Sequence, residues 1–232
     1  MEPIPDSWPP EPHGEGGGAP EPTEPGSSEA ASAAGPIAPL FPLANVFLFP
    51  GCVMPLHIFE PRYRQMIEDL LDGPGRLILG PVVGDHARDL SGNPPVHSVA
   101  GLGEIGRHEQ LPDGRFLIYL IGLSRVSIEE VESDRLYRRV RYTRVPDIDV
   151  DATLEAELRP KLEQAILKRD ERLLNLPDDV TVGCLTDLLL QHLELPPSLL
   201  CELYSESHVA RRAERALEEH ARRPLPPKQG DA

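Results

Sequence analysis

FPLANVFLFPGCVMPLHIFEPRYRQMIEDLL, residues 41–71, decides how the rest of the chain is read. Phe47, Leu48 and Phe49 read as a strand running into Pro50-Gly51, a dipeptide that favours a sharp turn. Residues 53–58 form a second extended run, in which Pro55 requires an edge or bulge position because it has no N–H for a ladder. Pro61 suits the first turn of a helix, where its missing N–H costs nothing. Behind it Tyr63, Met66, Ile67, Leu70 and Leu71 repeat with a 3.6-residue period and make one apolar stripe. Gly73 is placed to stop that helix.

Downstream, residues up to 147 read as mostly β. Residues 76–84 (RLILGPVVG) are a strand, and residues 85–95 a polar loop. Residues 99–108 are a strand whose Gly101, Gly103 and Gly106 predict bends or bulges. Leu111-Pro112-Asp113-Gly114 is a hairpin turn: Pro presets φ, Asp caps locally, and Gly takes positive φ. Residues 116–123 are a near-continuous apolar run, the pattern of a strand buried on both faces. A kink at residues 122–125 leads into residues 126–131, and residues 136–145 close the set. Six strands with one helix after the second predict an α+β fold built on a small, partly closed β-barrel.

Residues 148–223 read as a helical bundle of three amphipathic segments. Asp151 caps the first, which Pro160 is expected to kink or break near residues 158–159. Asp179 or Thr181 caps the second, with Leu185, Leu188, Leu189, His192 and Leu193 on one face. Pro196-Pro197 punctuates. A single last helix then carries Leu200, Leu203, Tyr204, Ala210, Ala213 and Leu217, and ends at Arg222-Arg223. Residues 1–36 read as a disordered tail. Residues 1–39 hold seven acidic side chains, no Lys or Arg, and ten of the 27 prolines, too little apolar surface to offset chain entropy. Residues 224–232 read as a frayed end.

Composition narrows the function. The net charge is −15, which repels phosphate backbones. Residues 40–147 carry 12 basic and 14 acidic side chains, whereas a nucleic-acid module is usually clearly basic. Arg135, Arg138, Arg139, Arg141 and Arg144 cluster near the last strand and keep nucleic-acid binding as an alternative, against an edge strand protected by charge. Cys52, Cys184 and Cys201 are too far apart for a zinc ligand set, and free thiols suit a reducing cytoplasm. No apolar run is long enough for a transmembrane helix, and no signal peptide is legible. No metal or cofactor is expected.

Two blocks carry a family resemblance. "FPL…FLFPG…PLHIFEPRYRQMI" resembles the N-terminal, substrate-binding domain of Lon proteases. Residues 99–128, VAGLGEIGRHEQLPDGRFLIYLIGLSRVSI, are similar to that family's second block, with Asp113-Gly114 in its hairpin and Gly122 and Arg125 as its Gly-x-x-Arg step. Ala100-Gly101 departs from the Gly-Thr more usual there. The helical segment resembles the family's closing unit in pattern. The resemblance covers about residues 38–223 and implies a PUA-like barrel followed by a helical bundle, in the standalone bacterial form. It also implies recognition of unfolded or exposed polypeptide segments, as an adaptor to a separate protease or as a holdase. The catalytic domains of full-length Lon proteases have no counterpart here: none of the three Lys follows a glycine as a P-loop requires, and no G-x-S-x-G elbow occurs. A small hydrolase is the less favoured alternative.

Phe47, Phe49, Met54 and Ile58 are the candidate polypeptide-binding residues, lining a groove between barrel and bundle, with plain core packing as the alternative for each. An exposed sheet edge is the other route. His57 reads as a partly buried histidine bonded to backbone, with acid–base work beside Glu60 as the alternative. Glu60, Arg62 and Arg64 read as ties between the first helix and the barrel, with a ligand-binding charge cluster as the alternative, and Tyr63 as core. A monomer or weak dimer without membrane contact is expected.

Overall fold

The computed structural model describes residues 35–90, 92–170, 177 and 179–226. Residues 1–34 of the expected tail and 227–232 of the expected frayed end lie outside them.

The first strand, β1, is Ile37–Ala44, earlier than the sequence suggests. Asn45 ends it with a φ of 57°, a left-handed backbone that no strand continues through. Phe47–Phe49 is therefore a connection, not a strand. The turn at Pro50-Gly51 leads into β2 (Val53–Ile58), α1 (Pro61–Leu71) and β3 (Arg76–Val82). A 3-10 turn (Gly84–Arg88) opens the polar loop. Next come β4 (Val99–Gln110), β5 (Phe116–Val131) and β6 (Arg139–Arg144). β5 is one 16-residue strand, and the expected kink at residues 122–125 is a bulge within it: Ser124 pairs with Leu102 and Gly122 with Gly103, which leaves Leu123 as the extra residue.

The six strands form one sheet in the order β2-β5-β4-β3-β1-β6, and β5 pairs with β6 as well. β1, β3, β4, β5 and β6 thereby close a ring. β1 runs parallel to β3, which needs the crossover that β2 and α1 supply; the other pairs are antiparallel. β2 hangs on the first half of β5, and its outer edge has no strand partner among the described residues. The register of β4 against β5 shifts at Leu102/Gly103 and at Ile105/Arg107, bulges at two of the three glycines that predicted them. The hairpin turn is built as its residues require. Gly114 has a φ of 78°, its N–H reaches the Leu111 carbonyl at 2.8 Å, and Asp113 accepts from the Arg115 N–H at 3.1 Å.

The helices are α2 (Ala152–Arg169), α3 (Val182–Gln191), α4 (Pro197–Ser205) and α5 (Val209–Arg222). Asp151 caps α2 through the Leu154 N–H, and Thr181 caps α3 through the Cys184 N–H. α2 runs through Pro160 as one helix. The expected single last helix is two, parted at residues 206–208. No proline or glycine marks that break. Its cause is tertiary: Ile148, leaving the barrel, takes the Ser207 carbonyl with its N–H at 2.8 Å and gives its own carbonyl to the Val209 N–H at 3.1 Å. A backbone bridge from outside the helix thus replaces a helical turn.

Candidate functional site

The barrel–bundle junction was the expected groove, and it is filled. Along Phe47-Leu48-Phe49 successive side chains point to opposite sides. Leu48 enters the barrel core, while Phe47 and Phe49 enter the core of the helices. Tyr204 of α4 stands edge-on to both phenyl rings, at 5.3 and 5.1 Å between centroids. Its hydroxyl donates to the Leu48 carbonyl oxygen at 2.6 Å. Burial pushes the Tyr204 phenol far above its usual range, so it stays a donor. Gly122 is required here by close approach: a Cβ on it would lie 2.0 Å from the Phe49 carbonyl oxygen. The Gly122 N–H and carbonyl instead bond the turn at Cys52 and Gly51, both at 2.8 Å.

Beside that seam lies a buried charge cluster. Arg125 of β5 gives its guanidinium to the carbonyls of Tyr204 and Glu206, at 2.7 and 2.9 Å, and to the carboxylate of Asp147. Arg212 of α5, fully buried, grips both oxygens of Asp147 at 2.9 and 3.0 Å and the Glu206 carbonyl at 2.6 Å. Its Nε lies 3.1 Å from Asp187 of α3. Burial opposes the Asp147 charge, but Arg212 and Arg125 more than offset this and hold its carboxyl below the usual range. For Asp187 burial wins and pushes the carboxyl up to about 6 against the pull of Arg212 and Arg125. The Gly-x-x-Arg step is thus a clasp between barrel and bundle: glycine admits the Phe49 backbone, and arginine three residues on binds the α4–α5 corner.

The open surface is on the other side of the same strands. β5 alternates strictly over its first half: Phe116, Ile118, Leu120 and Gly122 face inward, and Leu117, Tyr119, Ile121 and Leu123 face out, each 37–46% exposed. The apolar run expected to be buried on both faces is buried on one. The register sets Val53, Pro55 and His57 of β2 opposite Ile121, Tyr119 and Leu117. On the other flank Arg107 and Glu109 of β4 face Tyr119 and Leu117. Val53 and Phe59 reach 55% and 60% exposure. Gly106 lets the Ile121 side chain lie over the bulge, since a Cβ there would meet its Cδ1 at 2.5 Å. A cleft of about 270 Å³ opens between Pro55, His57, Arg107, Glu109, Leu117 and Tyr119.

The structure divides the expected binding residues. Phe47 and Phe49 are buried at the seam, and Ile58 is buried in the barrel. Met54 is half-buried and packs on the barrel core. None of the four lies on the open face: Phe47 and Phe49, ahead of β2, turn into the helical core, and the side chains at the even positions 54 and 58 of β2 point inward. His57 is the exception to its own reading: it is exposed, with its ring 6.0 Å from that of Phe59. Tyr63 is buried, edge-on to Phe41 at 4.5 Å. Arg62 pairs with Glu60 at 2.9 Å, reaches the Gly92 carbonyl at 3.2 Å and covers the Tyr63 ring at 4.5 Å. Arg64 lies against Gly114, where a Cβ would meet its guanidinium. Within the arginine cluster, Arg138 forks onto Glu130 at 2.7 and 2.8 Å, Arg135 lies 3.5 Å from Asp69, and Arg141 lies 3.9 Å from Glu129. Those charges are engaged within the fold. Sequence reasoning missed Leu117, Tyr119 and Ile121, because residues 116–123 are apolar at both odd and even positions and carry no signal of which face is covered.

Residues 37–222 match the family model of the ATP-dependent protease La (LON) substrate-binding domain. The chain belongs to this family. Lon protease 2 of Sorangium cellulosum is 32% identical over 154 residues, which cover 65% of this chain. They make up 18% of that protein, so the chain spans under a fifth of its relative's length. The N-terminal domain of Mycobacterium avium complex Lon protease superposes with a TM-score of 0.61 at 17% identity, over 80% of this chain and 98% of that one. A Lon N-terminal domain protein from Xanthomonas campestris gives 0.58 at 21%, over 79% and 98%. These two likenesses establish the fold: a partly closed barrel followed by helices. No helix among the described residues of this Lon-type domain is long and apolar enough to cross a membrane.

Proposed function

We propose that the protein is a non-catalytic module that binds exposed apolar segments of other polypeptides on the β2–β5–β4 face, as an adaptor or holdase. The observation that carries the reading is the outward row Leu117, Tyr119, Ile121 and Leu123, continued by Val53 and Phe59. Contiguous exposed apolar surface on a folded domain marks a site of interaction. Fully burying a leucine- or isoleucine-sized side chain contributes about 1.5–3 kcal/mol; those of the row are already more than half covered, so each adds about 1 kcal/mol, and the whole row together with Val53 and Phe59 is needed to offset the cost of association. The family's substrate-binding description supports polypeptides as the ligand class. The three unbridged cysteines support a reducing, cytoplasmic setting.

The test is direct binding to a fluorescent, permanently unfolded protein such as reduced and carboxymethylated lactalbumin. Saturable binding is expected, and Leu117→Ser with Tyr119→Ser should weaken it strongly while leaving the fold intact. Undiminished binding by that double variant, or no binding by the wild type, sinks the reading. Slower aggregation of a heated client supports the holdase arm, and faster client degradation by a separate Lon-type protease supports the adaptor arm. Turnover of ester or peptide substrates by the purified protein would refute the non-catalytic assignment.

A further inference from the structure

We infer that the occupant of this face is an amphipathic helix of about 13 residues, laid along β5, and not an added strand. The inference rests on the binding role proposed above and specifies the form of the bound segment.

The free edge of β2 is poorly suited to strand addition. The Gly122 N–H donates to the Cys52 carbonyl, which fixes the phase of the ladder. Stepping by two, Met54, Leu56 and Ile58 turn their backbone groups toward β5, while Val53, Pro55 and His57 turn theirs outward. The middle residue of the outward set is proline, which has no N–H and whose ring obstructs a neighbouring strand. An extended segment pressed onto the apolar face itself would bury backbone N–H and C=O groups with nothing to bond. A helix bonds its own backbone and offers one apolar stripe.

The dimensions agree. From Leu117 to Leu123 is six residue steps, roughly 20 Å of strand. A helix covers that length in about 13 residues, nearly four turns. Such a helix is marginal alone in water, so it would order on docking. Arg107 and Glu109, flanking the row on β4, have no ion-pair partner among the described residues and suit the charged flank of such a helix. A second copy of the chain is a poor occupant, because both copies would carry a net charge of −15.

The experiment uses the full chain and three 14-residue peptides, the first two of one composition (Leu, Ala, Glu, Lys). One has leucines at i, i+3, i+4, i+7 spacing, one has leucines at alternate positions, and the third is the first with a central proline. The helical-period peptide is expected to bind at least tenfold tighter than the other two, to gain helical circular dichroism on binding, and to lose at least tenfold on Tyr119→Asp. Circular dichroism and the urea midpoint of that variant establish that it folds. Equal or tighter binding of the alternating peptide overturns the helix while leaving the binding role standing. Binding of the unfolded protein without binding of any peptide overturns the helix in the same way. Binding of the helical peptide that ignores Tyr119→Asp overturns the placement, as does sedimentation showing a dimer that Tyr119→Asp disrupts. Failure of every peptide and of the unfolded protein overturns the binding role itself.

Discussion

The Tyr204 hydroxyl donates to the Leu48 carbonyl oxygen at 2.6 Å, across 156 residues of sequence. One hydrogen bond thus joins the helices to the strand-like connection that serves both cores. Tyr204→Phe keeps the ring contacts with Phe47 and Phe49 but leaves the Leu48 carbonyl without this donor. The expected loss is about 1–2 kcal/mol, read as a lower urea midpoint at unchanged slope. Tyr204→Ala, which empties the seam, is expected to cost about 3–5 kcal/mol.

Gly122→Ala tests the close approach of the Phe49 backbone. The added methyl would meet the carbonyl oxygen at 2.0 Å, and that oxygen belongs to the main chain, so relief requires the whole turn to move. A destabilisation of about 3 kcal/mol or more is expected, against under about 1 kcal/mol for Ser127→Ala on the exposed side of the same strand.

Neighbouring residues of β5 should separate stability from binding. Ile118→Ala removes a buried side chain from the barrel and is expected to cost about 2–5 kcal/mol. Tyr119→Ala, one residue on, is expected to cost under about 1 kcal/mol and to reduce binding of unfolded protein and of hydrophobic dyes. Chemical denaturation and dye titration on the same two variants make the comparison.

Asp187 gives the clasp a pH signature. Its folded carboxyl is raised to about 6, above the ordinary value near 3.8, so between these values the folded state holds more protons than the unfolded. Stability from this group is present at the acid end of that window and is lost as pH rises through 6, a decline on the order of 2–3 kcal/mol at most. Asp147 acts in the opposite sense at lower pH, where protonating it releases Arg212 and Arg125. Asp187→Asn is expected to flatten the fall between pH 4 and 6.5, measured as urea midpoints across that range. An unchanged slope would show that Asp187 is not the group responsible.

Local features were legible in the sequence because their causes are local. The Leu111–Gly114 turn, the Thr181 and Asp151 caps and the α1 stripe each depend on residues within a few positions. Together with the quoted motifs they gave the barrel, the inserted helix and the trailing helices. What stayed hidden depends on distant partners. Phe47–Phe49 has the composition of a strand but pairs with none among the described residues, because Asn45 has already ended β1. The α4–α5 break is made by Ile148, some 60 positions away. The apolar run in β5 does not say which of its faces will be covered, and the exposed row was lost in that ambiguity. Arg125 was recognisable as a motif residue, but its role needed the α4–α5 corner to be in place.

The division of Phe47, Leu48 and Phe49 between two cores bears on any attempt to trim the protein. A fragment stopping near residue 147 would strip the helices from two phenyl rings and leave Arg125 without the carbonyls it binds. Such a piece is expected to aggregate more readily than the intact unit of residues 34–232. Barrel and helices are in this sense a single heritable part, and shuffling between relatives should succeed only when both are exchanged together.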